Sequence, residues 1–311
     1  MCQSGASSTY GNLGGHDLNH QTKGALLVMS AGLLWGTLGI FSKLTYAETS
    51  VGPISLAWFR LVFAIPILAV FTLFKKYEVS LTRREVLLFI AFGFCSLTVF
   101  EALYFTTIAY TNVQHAVALL YTGPGFVAIL SRAILKERMS RAKVTAVILS
   151  MLGAFLILGL ARGEPLFTSK NQLGDWLAIG SGMAYSTWYI FGKVLGTNRE
   201  PAVTSLVALS FGAVPLFAVM FAMEGFHLPE DTLAWSLVAG VGFLPTALAY
   251  LLYLGGLKLI EATKASVFAI MEPVSAATFA FLLFHETFTP DALLGFVMII
   301  ASILLMSKTN A

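Results

Sequence analysis

Glu272, Arg60 and Glu101 each sit inside a long apolar stretch, and they are the residues best placed to do chemistry. A carboxylate surrounded by apolar neighbours, as at Glu272, can bind a cationic or amine-bearing group or carry a proton. It can equally act as a structural plug on a backbone carbonyl freed by the adjacent Pro273, since proline removes a helix donor. Arg60 and Glu101 suit an ion pair between neighbouring helices. The alternative is an outer gate, or a clamp in which Arg60 meets a substrate carboxylate. His115 reads as an interfacial hydrogen-bonder or a proton relay. Five aromatic residues with polar atoms, Trp35, Tyr121, Tyr185, Trp188 and Tyr250, lie near the middle of their stretches rather than at the ends. Their N–H and O–H groups want partners, which a cavity or ordinary helix packing would supply.

The elements that must position these residues are membrane helices. Of 311 residues, 57% are hydrophobic and 11% charged, whereas soluble domains run near about 25% charged. A water-soluble globule of this size could not hide so much apolar surface. A helix needs about 20 apolar residues to cross the hydrocarbon. The apolar stretches predict spans at 24–44, 52–74, 85–106, 112–132, 141–160, 173–195, 203–222, 232–254, 263–283 and 290–307, with tight hinges near Thr111 and Lys258. Residues 1–23, rich in Ser, Gly and Asn, read as a disordered tail. Within these spans Glu272 lies roughly 14 Å deep, and Arg60 and Glu101 roughly 12 Å and 8 Å. A charge at that depth costs at least about 2.5–3.5 kcal/mol, so each needs a reason to be there.

Basic residues in short loops orient the chain. With a cytoplasmic N-terminus, the loops after spans 2, 4, 6, 8 and 10, together with Lys23, hold fifteen of the 19 Lys and Arg. Lys43, Arg162 and Lys170 fall outside, and Arg60 lies within a span. Both termini are therefore expected in the cytoplasm.

The sequence also repeats itself. At an offset of 150 residues Gly24 matches Gly174, Thr37 matches Thr187 and Lys43 matches Lys193. At 149, Pro66 matches Pro215, Gly93-Phe94 matches Gly242-Phe243, Pro124 matches Pro273 and Glu137 matches Glu286. Two units result, 24–160 and 173–307. Each holds five spans, an odd number, so the second enters the membrane upside down. Inverted repeats are a device of secondary transporters. Trp35, Tyr185 and Trp188 fall in matching spans of the two units.

Trp35-Gly36, Phe59-Arg60, Leu135-Lys136-Glu137, Glu272-Pro273 and His285-Glu286 give the chain its family character. On these motifs the sequence resembles an EamA-type member of the drug/metabolite transporter superfamily across residues 24–307. The resemblance implies an all-α polytopic fold, with ten helices in two inverted five-helix units around a central cavity. It also implies export or exchange of small metabolites such as amino acids. One departure is that Gly123-Pro124 stands where the second unit has Glu272-Pro273.

Several function classes lack support. The sequence has no phosphate-binding loop, no zinc-ligand spacing and no nucleophile elbow, so no cofactor or metal is expected. The basic loops follow topology rather than nucleic acid. The expected partners are a small-molecule substrate and the lipid bilayer, with proton coupling open. The expectation is a multi-pass protein of the cytoplasmic (inner) membrane that carries amino acids or related zwitterions by alternating access. An intramembrane enzyme, or a non-transporting receptor or scaffold, is the alternative.

Overall fold

A computed structural model describes residues 10–111, 113–159, 172–285 and 287–309, and all regular elements among them are helical. Arg162, Lys170 and Glu286 lie outside the described residues. The first apolar stretch forms α1 (Tyr10–Trp35) and α2 (Thr37–Glu48), interrupted at Gly36. Helix thus begins at Tyr10, within the stretch expected as a tail. Once nucleated, a helix extends backwards at little cost per residue. Gln21 also helps to hold this entry, because its Oε1 accepts a 3.0 Å hydrogen bond from Lys264 Nζ.

Helix α3 (Pro53–Phe74) opens with a proline at its first turn, where the missing N–H is not needed. Helices α4 (Arg83–Gly93) and α5 (Phe100–Tyr110) form one rod through a π-helical stretch, Phe94–Val99. Next come α6 (Val113–Leu120), α7 (Gly123–Leu130) and α8 (Arg141–Ile157). The second set repeats the order: α9 (Gln172–Gly196), α10 (Pro201–Met223), then α11 (Thr232–Val241) and α12 (Ala249–Leu259) joined through a π-helical stretch, Gly242–Leu248. Helices α13 (Ala262–Ala269), α14 (Met271–Phe284) and α15 (Pro290–Ser307) complete it. Chain turns fall at Thr111 and at Ile260, close to the two expected hinges.

Among the described residues, eight helical rods are long and apolar enough to cross a membrane. The expected spans 141–160 and 173–195 are not among them. Helix α8 has 17 residues. Helix α9 is longer but carries Asp175, Ser181, Ser186, Thr187 and Lys193 along its length. Exposed apolar side chains such as Leu73, Phe74 and Val214 clothe the outside, a surface suited to lipid rather than water.

The principal contacts join the first set to the second: α8 with α15, α1 with α12, α3 with α10, and α5 with α9. Glycines permit the closest approaches. A Cβ on Gly153 would lie 2.9 Å from the Gly295 carbonyl oxygen, and one on Gly295 would lie 2.6 Å from that of Gly153. Small residues let helices meet backbone to backbone where lipid offers no hydrophobic drive. Side chains from the opposite set also finish helix ends. Glu224 accepts from the backbone N–H of Ile54 and of Ser55, both at 2.9 Å, at the start of α3. Glu137 accepts from Ala262 N at 2.7 Å and from Thr263 N at 3.2 Å, at the start of α13. Each remote carboxylate meets orphan N–H groups and the positive end of a helix dipole.

Gly153→Ala must push α8 away from α15 and should destabilise the protein by about 1–3 kcal/mol, as overpacking does. Gly39→Ala meets nothing within 4 Å and should stabilise by up to about 1 kcal/mol through helix propensity. Thermal unfolding of the purified variants in detergent reads both; equal melting temperatures would contradict the packing described.

Candidate functional site

Two helix breaks build the site. Between α13 and α14 the chain turns at Ile270, whose N–H reaches back to the Val267 carbonyl at 3.3 Å. Glu272 and Pro273 therefore sit in the first turn of a new helix. Pro273 has no N–H to bond the Ala269 carbonyl one turn earlier, so the interruption at Ile270 within the rod Ala262–Phe284 is the loosening its sequence position suggested. The proline itself occupies a place where helices tolerate it. The acidic side chain there also complements the helix dipole. At the repeat-matched position, α6 ends and α7 begins around Tyr121–Thr122, with Pro124 again in the first turn. Matched Pro-bearing breaks of this kind are where carriers place their ligands.

The breaks border a cavity of about 80 Å³, room for about five water molecules. Its wall brings together all five aromatic residues singled out in the sequence: Trp35, Tyr121, Tyr185, Trp188 and Tyr250. Trp188 and Tyr250 have ring centroids 4.5 Å apart, and Trp35 meets Tyr250 edge-on at 6.0 Å. Phe100 extends the wall against Tyr185 at 5.5 Å. Glu272 and Arg60 supply the charge. Among the described residues, no hydrogen bond or ion pair is formed to the Glu272 carboxylate, so no freed carbonyl holds it as a plug.

Arg60 on α3 and Glu101 on α5 do pair. Arg60 Nη2 contacts Glu101 Oε1, with the glutamate side chain 4% exposed. That arrangement matches the ion-pair expectation and occupies one end of the guanidinium. Its Nε remains buried without a hydrogen-bond partner among the described residues, as does Trp188 Nε1.

Other features escaped the sequence. His115 Nε2 contacts Asp175 Oδ1 across the α6–α9 contact, and both side chains are buried. The histidine is thus a buried partner between two helices. The available signal was an acid and a histidine at the starts of two facing spans, but only folding shows that they face. Ser96 and Thr187 share a 2.6 Å hydrogen bond at the cavity's edge. Tyr189 and Tyr253 back the aromatic wall with centroids 5.3 Å apart. The π-helical stretches left no recognisable mark, although such bulges collect at functional sites.

Leaving one partner of a buried ion pair alone costs about 3–5 kcal/mol. Arg60→Glu and Glu101→Arg should each sharply lower the folded protein recovered from membranes, and the double exchange should restore much of it. Size-exclusion profiles of the three variants decide the matter. A double variant no better than the singles would argue against the pair.

Comparison with known proteins gives a consistent result. The sequence model of the EamA-like transporter family matches residues 22–159 and again 172–308. The "Uncharacterized inner membrane transporter YicL" of Salmonella typhimurium is 27% identical over 294 residues, covering 92% of this chain and 95% of that protein. The "Riboflavin transporter ImpX" of Fusobacterium nucleatum is 25% identical over 306 residues, covering 94% and 100%. A solved crystal structure superposes with a TM-score of 0.78 at 17% identity, covering 91% of this chain and 96% of that one.

Proposed function

The chain belongs to the EamA-like transporter family, a membrane transporter rather than an enzyme, and from that premise we propose that it carries small organic metabolites by alternating access. In this reading the two family units are inverted five-helix repeats, α8 and α9 completing the ten spans, and the cavity between them is the substrate site. The reciprocal packing supports it. The α1–α12 contact has its repeat-matched counterpart in α5–α9, and the α1–α14 contact has one in α7–α9. Such exchange of equivalent contacts is what a pseudo-two-fold axis between two repeated units produces.

One observation carries the site assignment. Glu272 is a carboxylate in an aromatic wall at membrane depth, in the first turn of a broken helix, with no protein partner among the described residues. An ionisable group in that position is a functional residue by default. Glu272 meets the amine of the substrate, and Trp35, Tyr121, Tyr185, Trp188 and Tyr250 pack around it. When no amine is present the same carboxylate holds a proton, which is the route for proton coupling. With one arm of Arg60 on Glu101, a substrate carboxylate has only the rest of that guanidinium to meet. Zwitterions such as amino acids therefore rely on Glu272 first. The size of the cavity favours a compact metabolite; a nucleotide sugar needs several times this room. The relative named a riboflavin transporter is in keeping with flat, aromatic-lined recognition, though a ligand of that size requires a wider conformation.

In this reading the protein sits in the cytoplasmic membrane with both termini in the cytoplasm, which the basic loops support. On that side Glu85 meets Arg199 at 2.6 Å and Lys143 meets Glu261 at 2.5 Å, both across the two units. These ties must open for the cavity to face inward.

Glu272→Gln keeps the shape and removes the charge. It should lower uptake or counterflow in proteoliposomes at least about tenfold, as loss of a charged contact worth about 1.4 kcal/mol or more does, with normal amounts in the membrane. Assayed over a panel of amino acids and amines, with and without a pH gradient, full activity of this variant would remove the assignment.

A further inference from the structure

The two helix breaks are seated alike, yet they carry different side chains. A Cβ on Gly32 of α1 would lie 2.8 Å from the Ala269 carbonyl oxygen, and one on the matched Gly182 of α9 would lie 3.2 Å from that of the matched Leu120. Each break thus rests on a glycine in the first helix of the opposite unit. Beyond it, the second unit has Glu272 before Pro273, and the first has Gly123 before Pro124. The missing carboxylate leaves no gap. A Cβ on Gly123 would lie 3.2 Å from Tyr185 Cδ1 and 3.8 Å from Cε1, so the tyrosine ring lies where a side chain would begin. The ring is held there from both sides. Its hydroxyl shares a 3.2 Å hydrogen bond with that of Tyr189, and Phe100 packs on it with centroids 5.5 Å apart. Glu272 and Tyr185 both line the cavity and are only half-buried, whereas Trp35, Tyr121, Trp188 and Tyr250 are buried.

We propose that the cavity is a two-pole site, in which Glu272 takes the amine of a monocation and the Tyr185 ring, seated on Gly123, takes its apolar end. This deepens the carrier reading above and rests on it. Equivalent positions of the two units supply unlike poles, one an acid and the other a ring. Apolar surface laid on the ring is removed from water, which favours binding. A second ammonium at that end would shed its water with no carboxylate to meet it, because Glu272 holds the first and Glu101 holds Arg60. The attraction of a ring for a cation is a weak substitute. Gly123 is a positioning residue: it acts through Tyr185 by leaving room for the ring and by bringing no charge of its own. The ligand class is therefore a compact amine with one apolar end, and diamines are rejected.

Pentylamine and putrescine test this, because they match in length and differ in ending on a methyl or on a second ammonium group. Binding is measured by calorimetry on purified protein in lipid nanodiscs, with empty nanodiscs as the blank. The readout is the ratio of pentylamine affinity to putrescine affinity. In the wild type it should be about tenfold or more. Tyr185→Ala opens the apolar pole to water and should bring the ratio towards one. Gly123→Asp adds a carboxylate at that pole and should bring the ratio below one. Combined with Tyr185→Ala, the new side chain has room, which covers failure of the single variant to fold. A merely structural glycine would weaken both amines alike and leave the ratio unmoved. A wild-type ratio of one or less, no binding of pentylamine, or a tenfold ratio that survives in Tyr185→Ala would overturn the two-pole site. So would a double variant whose ratio is no lower than that of Tyr185→Ala alone. Glu272→Gln separates the two levels of the argument. If it weakens both amines while the wild-type ratio is one, the amine site stands without the apolar pole. If it weakens neither, the carrier site itself is misplaced.

Discussion

Inside the hydrocarbon there is no water to satisfy a backbone group or a charge, and this constraint governs the whole molecule. Helices answer it along their length and leave their ends unpaired. The structure meets those ends with side chains from the opposite unit, Glu224 on α3 and Glu137 on α13. Buried ionisable groups are met by side chains as well, within a unit or across the two. Arg60 is held by Glu101, His115 by Asp175 and Lys143 by Glu261. Lys193 donates to the Leu257 and Ile260 carbonyls at the end of α12, at 2.8 and 2.7 Å. Glu272 stands apart from this pattern: it lies deep, in an aromatic wall, and its carboxylate is met by nothing else described.

That contrast gives the site its meaning. Arg60 and Lys143 are each paired with a carboxylate, whereas the Glu272 carboxylate in the cavity wall has no such partner among the described residues. The broken helices explain how the cavity exists at all. A continuous α13–α14 would direct its first-turn groups into its own ladder, whereas a break at Ile270 presents a fresh helix start to the chamber. The aromatic side chains exclude water and give the remaining polar groups a low-dielectric setting, in which each is worth more.

Much of this was legible in the sequence, and what was missed has physical causes. Apolar run length marked the spans because only about 20 residues reach across the hydrocarbon. The five mid-span aromatics, together with Arg60 and Glu272, could be picked out because polar atoms are out of place there, and they do converge on one cavity. The Arg60–Glu101 pair was legible because similar depth on neighbouring spans brings opposite charges together. His115 and Asp175 were not, since each alone resembles an interfacial residue. The break at Ile270 was legible from Pro273, whose missing N–H frees the carbonyl one turn earlier. The helical start at Tyr10 was hidden because local polarity says nothing about a helix propagated from downstream.

The carboxylate on α3 has a consequence for how the chain comes into being. Glu224 lies 170 residues beyond Ile54, and ribosomes add about 5–20 residues per second. Ile54 is thus synthesised on the order of 10–30 s before Glu224. Until then the amide groups at the start of α3 lack the cap that the finished fold gives them. Maturation of the early helices is in this way timed by translation of the late ones.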